Sequence, residues 1–319
     1  MNMSRLQHRI ASLDLLKLFA ICGVLIIHMI GKTTYGGVFW YAQAVPIFMV
    51  LMGYNCRETI NWHSLGKSYL SYFMLYIVSL IIAIILHKPF SIHYLPIGLL
   101  PFAGPGTYWI LLYFLFVLVS PLIYRMKERM SIGIFLSLLF VLGYMFDVIY
   151  EASNSCGKTI YSSCPLRYAL CFGLGMIIKE KSPFWFIKRM WWFAVLSAIY
   201  LYLRNYSSLD IPYLFFENAG WSTGENGFAA FYPAMLVALS MYLLKNMQYS
   251  KILFLGRLTY HVFLFQILWF AIFPHFITNK VAFTILTFVC CFLGGYVFSQ
   301  LSNRLLNRLI NIDHVKYYS

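Results

Sequence analysis

Apolar runs of about 18 residues or more, each cut off by a short polar or basic stretch, recur along this chain from residue 13 to residue 300. That is the length a bilayer's hydrocarbon layer demands of a helix. Of the 319 residues, 61% are hydrophobic and 19% aromatic, only 11% are charged, and the mean hydropathy is +0.73. Such a composition excludes an ordinary water-soluble domain. It predicts an all-α, polytopic membrane bundle, because helices satisfy their own backbone groups where no water can.

Ten spans are expected, at roughly 13–30, 37–55, 69–87, 107–124, 131–149, 165–180, 187–203, 226–244, 252–276 and 281–300. An even number puts both termini on one side. If that side is the cytoplasm, 17 basic residues lie inside, six lie outside (Lys32, Lys88, Lys158, Arg167, Arg204 and Lys280), and Lys17 falls within the first span. The bias orients the chain N-in and C-in. The formal net charge of +14 therefore marks topology rather than an affinity for nucleic acid. The first run follows Arg5, His8 and Arg9 but contains Asp14 and Lys17, and no small-residue cleavage site comes after it. It reads as a permanent span and not as a signal peptide. One integral-membrane domain over 1–319 is expected, with no separate soluble domain.

Two expected outer loops are long. Residues 88–106, "KPFSIHYLPIGLLPFAGPG", are apolar but broken by Pro and Gly, which suits a re-entrant or interfacial segment. Residues 204–225, "RNYSSLDIPYLFFENAGWSTGE", mix Asp210, Glu217 and Glu225 with aromatic rings, a surface fit either for a sugar or for an interfacial aromatic belt. Cys156 and Cys164 share a third outer loop, where they are a disulfide in an oxidising compartment or two free thiols. No spacing of cysteine and histidine points to a metal. No internal repeat marks the chain as an inverted-repeat transporter.

The first span, "LDLLKLFAICGVLIIH", carries Asp14, Lys17 and His28. Eleven residues separate Lys17 from His28, three helical turns and about 20°, with a rise of about 16 Å. Both therefore lie on one face about half a bilayer apart, and Asp14 is close enough to pair with Lys17. Lys17 near a helix end can also snorkel to the surface. Ionisable groups at such depth usually face a bundle interior or a wet cavity, which makes them functional candidates.

This stretch resembles the opening signature of the membrane-bound acyltransferase 3 family, a Leu-Asp-x-Leu-Arg segment followed by a histidine; here the matching residues are Leu13, Asp14, Leu16, Lys17 and His28. "VPIFMVLMGYN" (45–55) is similar to the family's phenylalanine-rich second span, and "TYWILLYFLFVLVSPLIY" (107–124) to its Trp-containing span ending in Pro-Leu. "LGRLTYHVFLFQILWF" (255–270) resembles its Leu-Gly-x-x-Ser-Tyr segment. The departures are Lys17 for arginine, Met52 for serine, Gln266 for the late histidine, and Lys67 for a pair of arginines.

The resemblance implies a stand-alone carbohydrate O-acetyltransferase, which takes acetyl from acetyl-CoA as substrate and needs no bound cofactor. A hydroxyl must lose its proton as it attacks the thioester, and imidazole is suited to take it, so His28 is the expected general base. A covalent acyl-histidine is the other route. Lys17, oriented by Asp14, is expected to hold a phosphate of acyl-CoA as a point charge. Asn55, Arg57, Tyr108, Trp109, Glu225, Arg257 and Gln266 are further candidates for donor or acceptor contacts. Arg125 and Arg129 share the cytoplasmic ends of spans with Arg57 and Arg257, where positive-inside bias also accounts for them. The expected partners are acyl-CoA, a carbohydrate acceptor, the lipid bilayer and proteins of a polysaccharide pathway. The expected location is the plasma membrane, in a bacterium the inner one. The rival reading is a transporter or flippase for a lipid-linked saccharide, using the same buried groups as a relay. A glycan polymerase or ligase would call for a large arginine-rich outer loop, and the outer loops here carry few basic residues.

Overall fold

The structure, a computed structural model, describes residues 11–30, 36–88, 100–152, 168–206, 227–247, 254–277 and 279–316. Among them the elements are helices: α1 (Ala11–Ile30), α2 (Ala44–Tyr54), α3 (Trp62–Ile85), α4 (Tyr108–Arg129), α5 (Ile132–Ala152) and α6 (Ala169–Lys181). They continue with α7 (Pro183–Tyr206), α8 (Phe231–Leu243), the single turn α9 (Phe254–Arg257), α10 (Thr259–Ile272) and α11 (Lys280–Lys316). Short 3-10 turns occur at Gly37–Phe39, Tyr41–Gln43, Gly227–Ala230 and Phe273–His275.

Six of the described helical segments, Ala11–Ile30, Gly37–Tyr54, Trp62–Ile85, Trp109–Arg129, Pro183–Leu203 and Lys280–Leu305, are long and apolar enough to cross a bilayer. The protein is an integral membrane protein built of helices. The remaining expected spans coincide with α5, α6, α8 and α9 with α10, whose apolar stretches Ile132–Gly143, Phe228–Leu243 and Thr259–Ile272 are shorter.

Element ends depart from the hydropathy pattern for local reasons. Helix α3 begins at Trp62 rather than at 69, because the Asn61 side chain accepts a hydrogen bond from the Ser64 N–H at 3.0 Å and caps a polar first turn. Hydropathy does not register a helix that starts outside the apolar run. The second expected span opens as two 3-10 turns before α2, and the ninth is broken at Leu258 between α9 and α10.

The chain divides into two compact units: Met1–Glu58 with Val119–Arg257, and Thr59–Leu118 with Leu258–Ser319. One division falls inside α4, just before Pro121, whose ring nitrogen cannot donate to the carbonyl four residues back. In the first unit α2 and α6 cross backbone against backbone. A Cβ on Gly53 would collide with the Phe172 carbonyl, and one on Gly175 with the Val50 carbonyl. Where lipid removes the hydrophobic drive between helices, such close approach supplies dispersion contact instead. The same tight packing explains why α6 is buried without interruption from Ala169 to Ile178. Helix α1 lies against the start of α2, where a Cβ on Gly23 would be 3.0 Å from the Tyr41 carbonyl oxygen and 3.1 Å from the Ala44 Cβ.

The second unit joins α3, α10 and α11 by apolar packing, as where Gly295 lies against Val262, and by a few polar side chains. The Tyr260 hydroxyl donates to the Ser68 carbonyl at 2.8 Å, and the Trp269 indole N–H donates to the Thr287 hydroxyl at 2.9 Å. Residues 100–107 run irregularly over α10. The Gly104 N–H donates to the Ile267 carbonyl at 3.0 Å, and a Cβ at Gly104 would meet that oxygen at 2.6 Å and the Ala271 nitrogen at 2.8 Å. This is the described end of the expected re-entrant segment; residues 89–99 lie outside the described residues.

Candidate active site

The first unit carries α1 and its ionisable groups. On α1, the Lys17 ammonium pairs with the Asp14 carboxylate at 3.2 Å, the contact expected of residues three apart on a helix. Asp14 is 1% exposed at its side chain and Lys17 27%, so the lysine reaches outward from a buried partner. The peptide around Asp14 is held from another element: Gly256 of α9 packs directly on the Asp14 carbonyl, where any side chain would collide. Arg257 follows it in the same turn. The segments matched by the first and the late family-like motifs are thus in direct backbone contact.

His28 lies in the last turn of α1 and is half-buried. Its separation from Lys17 is the straight-helix rise of about 16 Å, since α1 runs unbroken from Ala11 to Ile30.

Asn55 closes α2: its side-chain N–H donates to the Leu51 carbonyl at 2.8 Å while the residue itself is exposed. The amide is thereby committed to the helix end. Arg57 is exposed next to the buried Cys56. The Cys56 thiol lies 3.6 Å from the Ser120 carbonyl, and the Lys179 ammonium donates to the Cys56 carbonyl at 2.7 Å. Burial pushes the Cys56 thiol up to about 11, against the opposing pull of the Lys179 charge. Close by in sequence, Glu180 is ion-paired to Lys127 and to Lys181, the latter at 2.7 Å.

Trp109 and Gln266 belong to the second unit. They gather at the crossing of residues 100–107 with α10. The Trp109 ring packs on Phe263 with 4.9 Å between centroids, and the Gln266 amide donates to the Pro105 carbonyl at 3.4 Å. Gln266 is fully buried, and its side-chain oxygen has no hydrogen-bond partner among the described residues. Tyr108 opens α4, its side chain outside the described part; Glu225, Cys156 and Cys164 also lie outside the described residues. Among the described residues no group of three His, Cys, Asp or Glu side chains is placed to hold a metal ion.

Sequence reasoning passed over His261. Its Nε2 lies 3.2 Å from both the Ser71 and the Ser302 hydroxyls. Each hydroxyl spends its own proton on a carbonyl one turn back, Ser71 on Lys67 and Ser302 on Ser299, each at 3.1 Å. The imidazole must therefore donate from Nε2, which leaves Nδ1 the bare acceptor. Three helices meet at this ring. The signal in the sequence was a histidine amid an apolar run, but the late motif directed attention to position 266.

Against known families, the acyltransferase 3 model, described as an acyltransferase domain, matches residues 10–304. No curated protein and no solved structure matches the chain.

Proposed function

Because the chain belongs to the membrane-bound acyltransferase 3 family, we propose that it moves an acyl group, acetyl foremost, from acyl-CoA to a hydroxyl of a cell-surface or lipid-linked carbohydrate. The observation that carries this reading is α1 itself, with a half-buried Asp14–Lys17 ion pair toward one end and a half-buried histidine on the same face in its last turn. Asp14 holds Lys17 extended, and Lys17 offers a point charge to a CoA phosphate. The slim pantetheine arm then spans the three turns to His28. His28 removes the acceptor's hydroxyl proton as the oxygen attacks the thioester carbonyl; the thiolate of CoA leaves and the ester forms.

Ten spans, with both termini in the cytoplasm of a bacterium's inner membrane, complete this picture. In that orientation Lys17 meets the donor from the cytoplasm and His28 meets the acceptor from the outer side. The basic residues Arg57, Arg125, Arg129 and Arg257 then all face the cytoplasm, which is the positive-inside pattern.

The test is transfer of radiolabelled acetyl from acetyl-CoA to glycan by the purified protein. His28→Ala is expected to insert normally and to lose transfer. Full activity in that variant would remove His28 from the mechanism. Lys17→Ala is expected to raise KM for acetyl-CoA more than it lowers kcat, the signature of lost donor binding. Movement of a lipid-linked saccharide without any covalent change would favour a flippase instead.

A further inference from the structure

The last eight residues before α2, "GGVFWYAQ" (36–43), are held far more firmly than a connecting loop needs. Gly36 takes a left-handed conformation at φ 78°, and the Phe39 N–H donates back to its carbonyl at 3.0 Å. At Gly37 a side chain would run into the Tyr41 ring. Two side chains from α7 and α8 then fix the backbone: the Tyr206 hydroxyl accepts from the Val38 N–H at 3.4 Å, and the Tyr232 hydroxyl donates to the Phe39 carbonyl at 2.9 Å. Phe39 sits between these two rings, 6.2 Å from Tyr206 and 5.7 Å from Tyr232.

Gln43 closes the segment and is fully buried. Its amide donates to the Val38 carbonyl at 2.7 Å. A carbonyl can only accept, so the nitrogen faces Val38 and the oxygen faces away. That oxygen has no hydrogen-bond partner among the described residues. A buried acceptor without a donor carries a cost that only an arriving donor removes. In the same segment Trp40 is 43% exposed and meets the Tyr41 ring edge-on at 4.7 Å, which leaves indole surface open. The segment bears no charge, so it suits a neutral ligand with hydroxyls and an apolar C–H face, which is a sugar. The segment meets α1 near its middle: Gly23 faces Tyr41 and Ala44, five residues and about 7.5 Å before His28 along the helix axis.

We infer that residues 36–43 seat the carbohydrate acceptor, with the Gln43 side-chain oxygen receiving one of its hydroxyls and Trp40 covering its C–H face. This rests on transfer to a carbohydrate as proposed above. The experiment uses the purified full-length protein, acetyl-CoA, and a panel of p-nitrophenyl hexosides and N-acetylhexosaminides, of which the best-acetylated becomes the probe. Gln43→Met keeps the volume and is expected to raise the probe's KM about tenfold, with KM for acetyl-CoA unchanged. Trp40→Ala, at an exposed position, is expected to raise the same constant and decides the matter if Gln43→Met does not fold. An unchanged probe KM overturns the inference and leaves acyl transfer standing. A rise shared equally by acetyl-CoA marks a structural role and overturns it too. A panel with no acetylated member counts against the carbohydrate reading, and this inference falls with it.

Discussion

Two histidines, one in each unit, differ in nearly everything that decides what an imidazole can do. His28 stands half-buried in the last turn of a helix, on the face that carries an ion pair eleven residues earlier. His261 is buried at 8% exposure, with one nitrogen donating to two serine hydroxyls whose own protons are already committed. A general base needs an accessible nitrogen and room for a proton to arrive and leave. A ring locked between three helices has neither, but it joins those helices in a medium that does not otherwise drive them together. Burial, not residue type, separates the proposed catalyst from the pin.

The largest effect that can break this comparison is on activity. His28→Ala should lower acetyl transfer by about 100-fold or more, the usual worth of a positioned base, with no change in the SDS-unfolding midpoint. If His261→Phe costs as much activity while leaving stability alone, the roles are reversed. That second variant keeps the ring volume and removes the donor. Its expected cost is stability, about 0.6 to 1.7 kcal/mol, the range measured for interhelical hydrogen bonds in membranes, with kcat nearly unchanged. Ser71→Ala and Ser302→Ala sharpen the point: each should cost about 0.6 kcal/mol or less, and each should cost nothing further once His261 is Phe.

The smallest effect concerns a third buried group, outside the spans. The Cys56 thiol is pushed up to about 11 from an ordinary value near 9 by its burial. Folded protein should therefore react with iodoacetamide at pH 8 about 100-fold more slowly at Cys56 than unfolded protein does, read by peptide mass spectrometry. The linked stability has a definite sign. Below pH 9 the thiol is neutral in both states and its contribution is whole; as pH climbs toward 11 the unfolded thiol ionises first and that contribution is lost.

Much of the fold was legible in the sequence because lipid imposes one requirement on every span. Length and hydropathy located α1, α3, α4, α7 and α11 to within about a turn at one end at least, since a run of apolar residues that long has few other uses. Their far ends were less legible. Helix α11 continues to Lys316 and α3 begins at Trp62, because helical hydrogen bonds persist into water, where hydropathy falls silent. The 3-10 turns at Gly37–Phe39 and Tyr41–Gln43 read as part of a span because their residues are apolar, whereas their geometry answers to Tyr206 and Tyr232, more than 160 residues away.

The candidate site divides along the same line. Asp14, Lys17 and His28 share one helix, so spacing alone places them on a common face, and the ion pair between the first two is a local contact that any straight helix would offer. Only the tertiary structure set Gly256 on the Asp14 carbonyl, drew Gln266 to Pro105, aimed the Gln43 oxygen away from Val38, and closed three helices on His261. Those are contacts between distant segments, determined by how helices pack against one another. No periodicity within a single run encodes them.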